Sequence, residues 1–137
     1  MPDFRQVTED FAVAPQIAVS DIAEAANRGF VMVINNRPDG EAPDQPSSAQ
    51  MAQAAEDAGL TYVHIPVRGG PTREQAEEML AAVAEAEGPV LAFCRSGTRS
   101  ITTWALGEAA KGRDRGELAR LAAMAGYDLT MALGPMH

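Results

Sequence analysis

The chain has 137 residues, 46% of them hydrophobic, which suits one domain over 1–137 that buries a core without staples. Its single cysteine excludes an internal disulfide and fits a reducing, cytoplasmic setting; with His64 and His137 it also falls short of a zinc cluster, so no metal is expected. A net charge of -8 excludes nucleic acid as a default partner, because phosphate backbones need clustered Lys and Arg.

The opening "MPDFRQVTEDFAVA" lacks a basic start followed by a long apolar core, so no signal peptide is expected, and no run is apolar enough to span a membrane. Short runs at 4–7 and 11–14 suggest edge strands. Ser20 is placed to cap a helix over "DIAEAANR", which Gly29 ends. "FVMVIN" (30–35) reads as a buried strand. "NNRPDGEAPDQPSS" (35–48) is rich in Pro, Gly and Asp and reads as a long loop. Ser47 or Ser48 can cap "AQMAQAAEDA", which stops at Gly59.

"TYVHIPV" (61–67) reads as the next strand, meeting Pro66. "TREQ" (72–75) is a capping box before "AEEMLAAVAEAE", with Gly88 beyond. "PVLAFC" (89–94) is a third buried strand. "SITTWALGEAAK" reads as a helix from Ser100 towards Gly112, and "DRGE" (114–117) opens a last one. Strands alternating with helices predict an α/β fold. Its parallel or mostly parallel central sheet has four to five strands flanked by helices.

Cys94 closes a strand, so it lies at the edge where parallel sheets present their chemistry. Residues 95–99 then form a tight connection to a helix starting at Ser100. Successive backbone N–H groups in such a loop make an anion nest beside a helix N-terminus, and Gly97 lets the backbone curl. That setting favours the thiolate, which is the nucleophilic form. Arg95 and Arg99 bring positive charge to the loop, and Arg68 and Arg73 flank neighbouring segments of a chain that is otherwise acidic. A small anion is the ligand this pattern suits. Ser96, Thr98 and Ser100 are candidates to orient the loop, or are plain turn and cap residues. Asn36, Arg37, Asp39, His64 and Arg68 are candidates for the pocket rim. No cofactor is needed.

"CRSGTRS" (94–100) resembles the anion-binding loop of rhodanese-type sulfurtransferases and of tyrosine or dual-specificity phosphatases. With "VINNRPDGE", "YVHIPV" and "AGYDL", the chain resembles the phosphatase-like domain of the bacterial beta-lactamase-hydrolase-like proteins, a domain also described as a sulfur transferase. The resemblance implies a dual-specificity-phosphatase-like fold, Cys94 as nucleophile, and a setting near persulfide dioxygenases and sulfide oxidation.

Two departures from the phosphatase pattern rank sulfur transfer first. Phosphatases of this fold place five residues between cysteine and arginine, whereas four separate Cys94 from Arg99. A ring with fewer amides suits a sulfane sulfur better than a tetrahedral phosphoryl group. Those phosphatases also carry an aspartate soon after the "IPV"-like strand end to protonate the leaving alcohol. "HIPVRGGPT" has no carboxylate there, which leaves Asp39 or Glu41 as the acid. The expected reaction moves sulfur from thiosulfate or a low-molecular-weight persulfide, through a Cys94 persulfide, to an external acceptor thiol. The alternatives are a phosphatase working through a Cys94 phosphoenzyme and a sulfur carrier or thiol sensor without turnover.

Overall fold

Apolar residues alternate along short strands, and the alternation fills a core on each side of one sheet. The computed structural model describes residues 2–134. Its elements run β1 (Arg5–Gln6), β2 (Phe11–Ala14), α1 (Asp21–Asn27), β3 (Met32–Asn35), α2 (Ser48–Ala58), β4 (Thr61–His64), α3 (Arg73–Glu85), β5 (Val90–Phe93), α4 (Thr98–Ala110), α5 (Arg115–Met124) and α6 (Thr130–Leu133). The sheet order is β1-β2-β5-β3-β4, with β1 antiparallel and the other pairs parallel.

One strand sits elsewhere than expected. β2 lies inside the sheet between β1 and β5, and all four of its residues are buried. Its "FAVA" is too short to read as an interior strand, but pairing along the whole of β5 buries it. Only β1 and β4 are edges, and β4 stops at His64, short of Pro66.

Phe11, Val13, Met32, Ile34, Val90 and Ala92 face one core with Met79, Ile101, Trp104 and Leu118 from the helices. Ala12, Ala14, Val33, Leu91 and Phe93 face the other with Ile22, Ala25, Met51 and Ala55. The period-two alternation of a strand sends neighbours to opposite faces. Each large apolar side chain fully buried here stabilises by about 1.5–3 kcal/mol. Trp104 stacks on Phe11 with ring centroids 5.0 Å apart, which ties α4 to β2. The helix that carries the site is thereby fixed against the sheet.

Two caps follow the sequence closely. Ser47 and Thr72 each form a reciprocal capping box, with Gln50 and Gln75. Two do not. Ser20 makes no capping bond; Asp21 instead accepts from the Ala18 N–H at 2.8 Å. Asp114 caps α5, but the Glu117 side chain turns to Arg113 rather than back to the cap. The four-residue α6 has no strong periodic signal to announce it.

Candidate active site

Ala14, Phe93, Asn35 and His64 end their strands level with one another across the sheet. The segments that follow, with Gln16, Cys94, Asn36 and the loop to α2, therefore leave the sheet along one edge. The backbone ladder continues past the strands there: the Asn36 N–H donates to the Phe93 carbonyl at 2.8 Å, and the Cys94 N–H to Ala14 at 3.4 Å.

Cys94 is fully buried at this edge. Its sulfur accepts the backbone N–H of Gly97 at 3.1 Å. Gly97 has φ +93°, a left-handed conformation that suits glycine. That turn sends the chain straight into α4, and the Ile101 N–H already bonds the Gly97 carbonyl at 3.0 Å. The helix thus begins at Thr98, two residues earlier than expected. The connection ends at Gly97, and Arg99 and Ser100 belong to the first turn of α4. The glycine acts as the helix cap, so no serine is needed at Ser100 to start it.

Arg99 forks onto Glu41. Its Nη1 donates to Oε2 and its Nη2 to Oε1, both at 2.8 Å, and Nη1 also reaches the Val67 carbonyl at 2.8 Å. Glu41 accepts a further bond from Arg37 Nε at 2.9 Å, and Arg37 Nη1 donates to Gln16 Oε1 at 2.9 Å. Hydrogen bonding from Arg99, and then from Arg37, holds the Glu41 carboxyl down at about 2 against the opposing effect of burial. The same pairing raises Arg99 above its ordinary value. Two arginines therefore hold Glu41 as a carboxylate, which disfavours the protonated form a general acid needs. It is the resting partner of the site's arginine.

The other predicted residues separate into three groups. Ser96 and Thr98 are exposed, with the Ser96 hydroxyl donating to Thr98 Oγ1 at 3.0 Å. Arg95 points its side chain to solvent while its carbonyl accepts from the Gln16 N–H at 3.1 Å. Ser100 and Asn36 are buried, and Ser100 Oγ and Asn36 Oδ1 have no hydrogen-bond partner among the described residues. Asn36 Nδ2 bonds the Ile65 carbonyl at 3.0 Å. Asp39, His64 and Arg68 line a neighbouring cleft with Pro38, Pro66 and Gln75, and no residue of 94–99 lines it. His64 Nε2 lies 3.0 Å from the Arg37 carbonyl, and Asp39 Oδ1 accepts from the Ser48 N–H at 2.7 Å.

Three contacts had no readable signal. Gln16 meets both Arg37 and the Arg95 backbone across long sequence gaps. Tyr127, from "AGYDL", donates to the Ser96 carbonyl at 2.9 Å. Glu41 is one carboxylate among 19 acidic residues until the fold brings Arg99 to it. Among the described residues no group of three His, Cys, Asp or Glu side chains is placed to hold a metal ion, and His137 lies outside those residues. Among them, too, no helix is long and apolar enough to cross a membrane.

The family described as "Beta-lactamase hydrolase-like protein, phosphatase-like domain" matches residues 3–111. The chain belongs to that family. A beta-lactamase hydrolase-like protein of Agrobacterium fabrum is 41% identical over 130 residues, and one of Xylella fastidiosa is 38% identical over 129. In each case the match covers 93% of this chain and 30% of the relative, so the chain spans about a third of their length. Among solved structures, a Neisseria meningitidis protein provisionally described as a phosphatase is 35% identical, with a TM-score of 0.83 over 94% of this chain and 92% of its own. Tk-PTP in its active form is 25% identical, with a TM-score of 0.74 over 96% and 91%. The chain thus has the cysteine-phosphatase-like fold, with Cys94 in the connection between β5 and α4.

Proposed function

We propose that the chain is a cysteine-dependent hydrolase of phosphomonoesters. One observation carries the reading: Cys94 sulfur is held by the Gly97 N–H, with the Arg99 guanidinium on the first turn of the adjoining helix. That arrangement offers a nucleophile, an amide donor and a fixed positive charge to one anion. The family description and the Neisseria relative support phosphate over sulfur, which reverses the order that the loop spacing and the missing aspartate suggest.

In the first step the Cys94 thiolate pair forms an S–P bond as the ester P–O bond breaks. The leaving alkoxide takes a proton. Arg99, released from Glu41, and the loop amides carry the negative charge on the phosphoryl oxygens. In the second step water attacks phosphorus, the S–P bond breaks, and phosphate leaves with the thiolate restored. Asp39 is the remaining candidate to supply and recover the proton.

A second reading rests on the four-residue spacing and on Glu41 being held ionised. In it the Cys94 thiolate attacks the outer sulfur of an anionic donor such as thiosulfate. The S–S bond breaks, sulfite leaves with the electron pair, and an external thiol then takes the sulfur from the Cys94 persulfide. No general acid is required, and a persulfide dioxygenase-like protein is the partner that chemistry suits.

The test compares kcat/KM for an aryl phosphate and for thiosulfate with an external thiol on one preparation, alongside intact mass after each incubation. A phosphocysteine with efficient ester turnover supports the first reading. A persulfide with negligible ester turnover replaces it with the second.

A further inference from the structure

One peptide unit of the cysteine loop is held at both ends. The Ser96–Gly97 peptide gives its N–H to Cys94 sulfur at 3.1 Å and its C=O to the Tyr127 hydroxyl at 2.9 Å. A trans peptide sets these groups on opposite sides, so each bond requires the orientation the other requires. The preceding carbonyl, that of Arg95, is also turned away from the sulfur and accepts from Gln16 at 3.1 Å.

Glycine makes such a lock necessary. Gly97 tolerates either half of backbone space, so rotation of the peptide before it meets little steric resistance. The rotated form would aim the Ser96 carbonyl oxygen at the sulfur. There it would repel both a thiolate and any bound anion.

We propose that Tyr127 is a positioning residue that locks the Ser96–Gly97 peptide with its N–H facing Cys94. This rests on the reading of the loop as the anion site. The fit between the two residues is close: a Cβ on Gly97 would lie 2.1 Å from the Tyr127 hydroxyl oxygen. Burial pushes the phenol above its ordinary value against the opposing charge of Arg5, so the hydroxyl keeps its proton and donates. Tyr127 is itself tied down. Its N–H bonds the Ala122 carbonyl at 2.9 Å, and the Arg5 guanidinium lies 5.1 Å over its ring. The chain after α5 thus reaches back across β1 to the catalytic edge.

Tyr127→Phe removes the hydroxyl and keeps the ring, so the packing survives. Two readouts at pH 7 report the loop rather than the fold: the alkylation rate of Cys94 with iodoacetamide, and protection of Cys94 by inorganic phosphate or vanadate. Loss of one hydrogen bond that orders the peptide should lower each about tenfold in the folded variant. Arg5→Ala is the second variant; it loosens the same ring without removing the hydroxyl. It should lower Tm while changing alkylation and protection less than Tyr127→Phe does. Wild-type alkylation and protection in Tyr127→Phe overturns the lock and leaves the anion site standing. A wild-type Cys94 that reacts no faster than a free thiol and is not protected by either anion overturns the site reading, and the lock with it.

Discussion

Two connections leave the same edge of the sheet, and they are built in opposite ways. The one from β5 to α4 uses four residues, 94–97, and backbone bonds: a left-handed glycine, an N–H on sulfur, and carbonyls tied outward. The one from β3 to α2 uses twelve, 36–47, and is held by side chains: Arg37 on Glu41 and Gln16, Asn36 on Ile65, and Gln45 on Pro38. They meet where Arg99 forks onto Glu41. The short connection holds the nucleophile rigidly, because few torsions are free. The long one has more free torsions, and it carries Glu41, the carboxylate that occupies Arg99.

The sharpest break is chemical. Cys94→Ser leaves the short connection folded, since the change in volume is small, but removes the nucleophile. Loss of kcat should reach the assay floor, in line with the factor of about 10⁶ that removing a nucleophile costs elsewhere. Full turnover in a folded variant, measured by kcat and circular dichroism together, would end any reading that starts from the cysteine.

Asp39→Asn probes the long connection. If Asp39 donates the proton, kcat for an ester with a poor leaving group should fall by about 10²–10⁴. An activated aryl ester, which needs no proton, should barely change. Equal losses for both esters would mean that Asp39 only holds its loop, through the bond from the Ser48 N–H at 2.7 Å.

Gly97→Ala breaks the short connection mechanically. It places a side chain at φ +93° and drives Cβ into the Tyr127 hydroxyl. Left-handed strain and overpacking together should cost about 2–4 kcal/mol in denaturant unfolding. A smaller loss would mean that the loop relaxes, and that the tight fit is not needed for folding.

The contrast also explains what the sequence made legible. "PVLAFCRSG" announces itself because each step has a local cause: an apolar run, its end, a glycine that must turn. Even there the helix start was misplaced by two residues, since Gly97 can serve as loop or cap and only its φ decides. The long connection hid its organisation. Arg99 and Glu41 are 58 residues apart, and nothing local singles out one partner among many carboxylates. Tyr127 is 31 residues from Ser96 and sits behind a helix whose placement depends on the whole core. The interior position of β2 was missed for the same reason, because pairing with β5 is a non-local event.

The smallest effect expected is also the one that separates the two connections most cleanly. Glu41→Gln keeps the shape of the long loop and removes the charge that grips Arg99. At pH 7 it should destabilise by about 1–2 kcal/mol: more than a typical surface pair because the fork is bidentate, but limited because both side chains keep contact with water. The acid dependence gives the sign. A carboxyl lowered from 4.5 to about 2 in the folded state adds stability that is complete above about pH 4.5. That stability drains away as pH falls towards 2. The gap between wild type and variant should therefore be widest at neutral pH and close between about pH 4.5 and 2, followed by unfolding free energy at each pH. With the carboxylate gone, Arg99 is free to meet an anion, so KM for an anionic substrate should fall a few-fold. Arg99 also loses its alignment, so kcat should fall a few-fold as well. An unchanged KM would mean that Arg99 never leaves Glu41 during turnover, and that the short connection binds its anion without help from the long one.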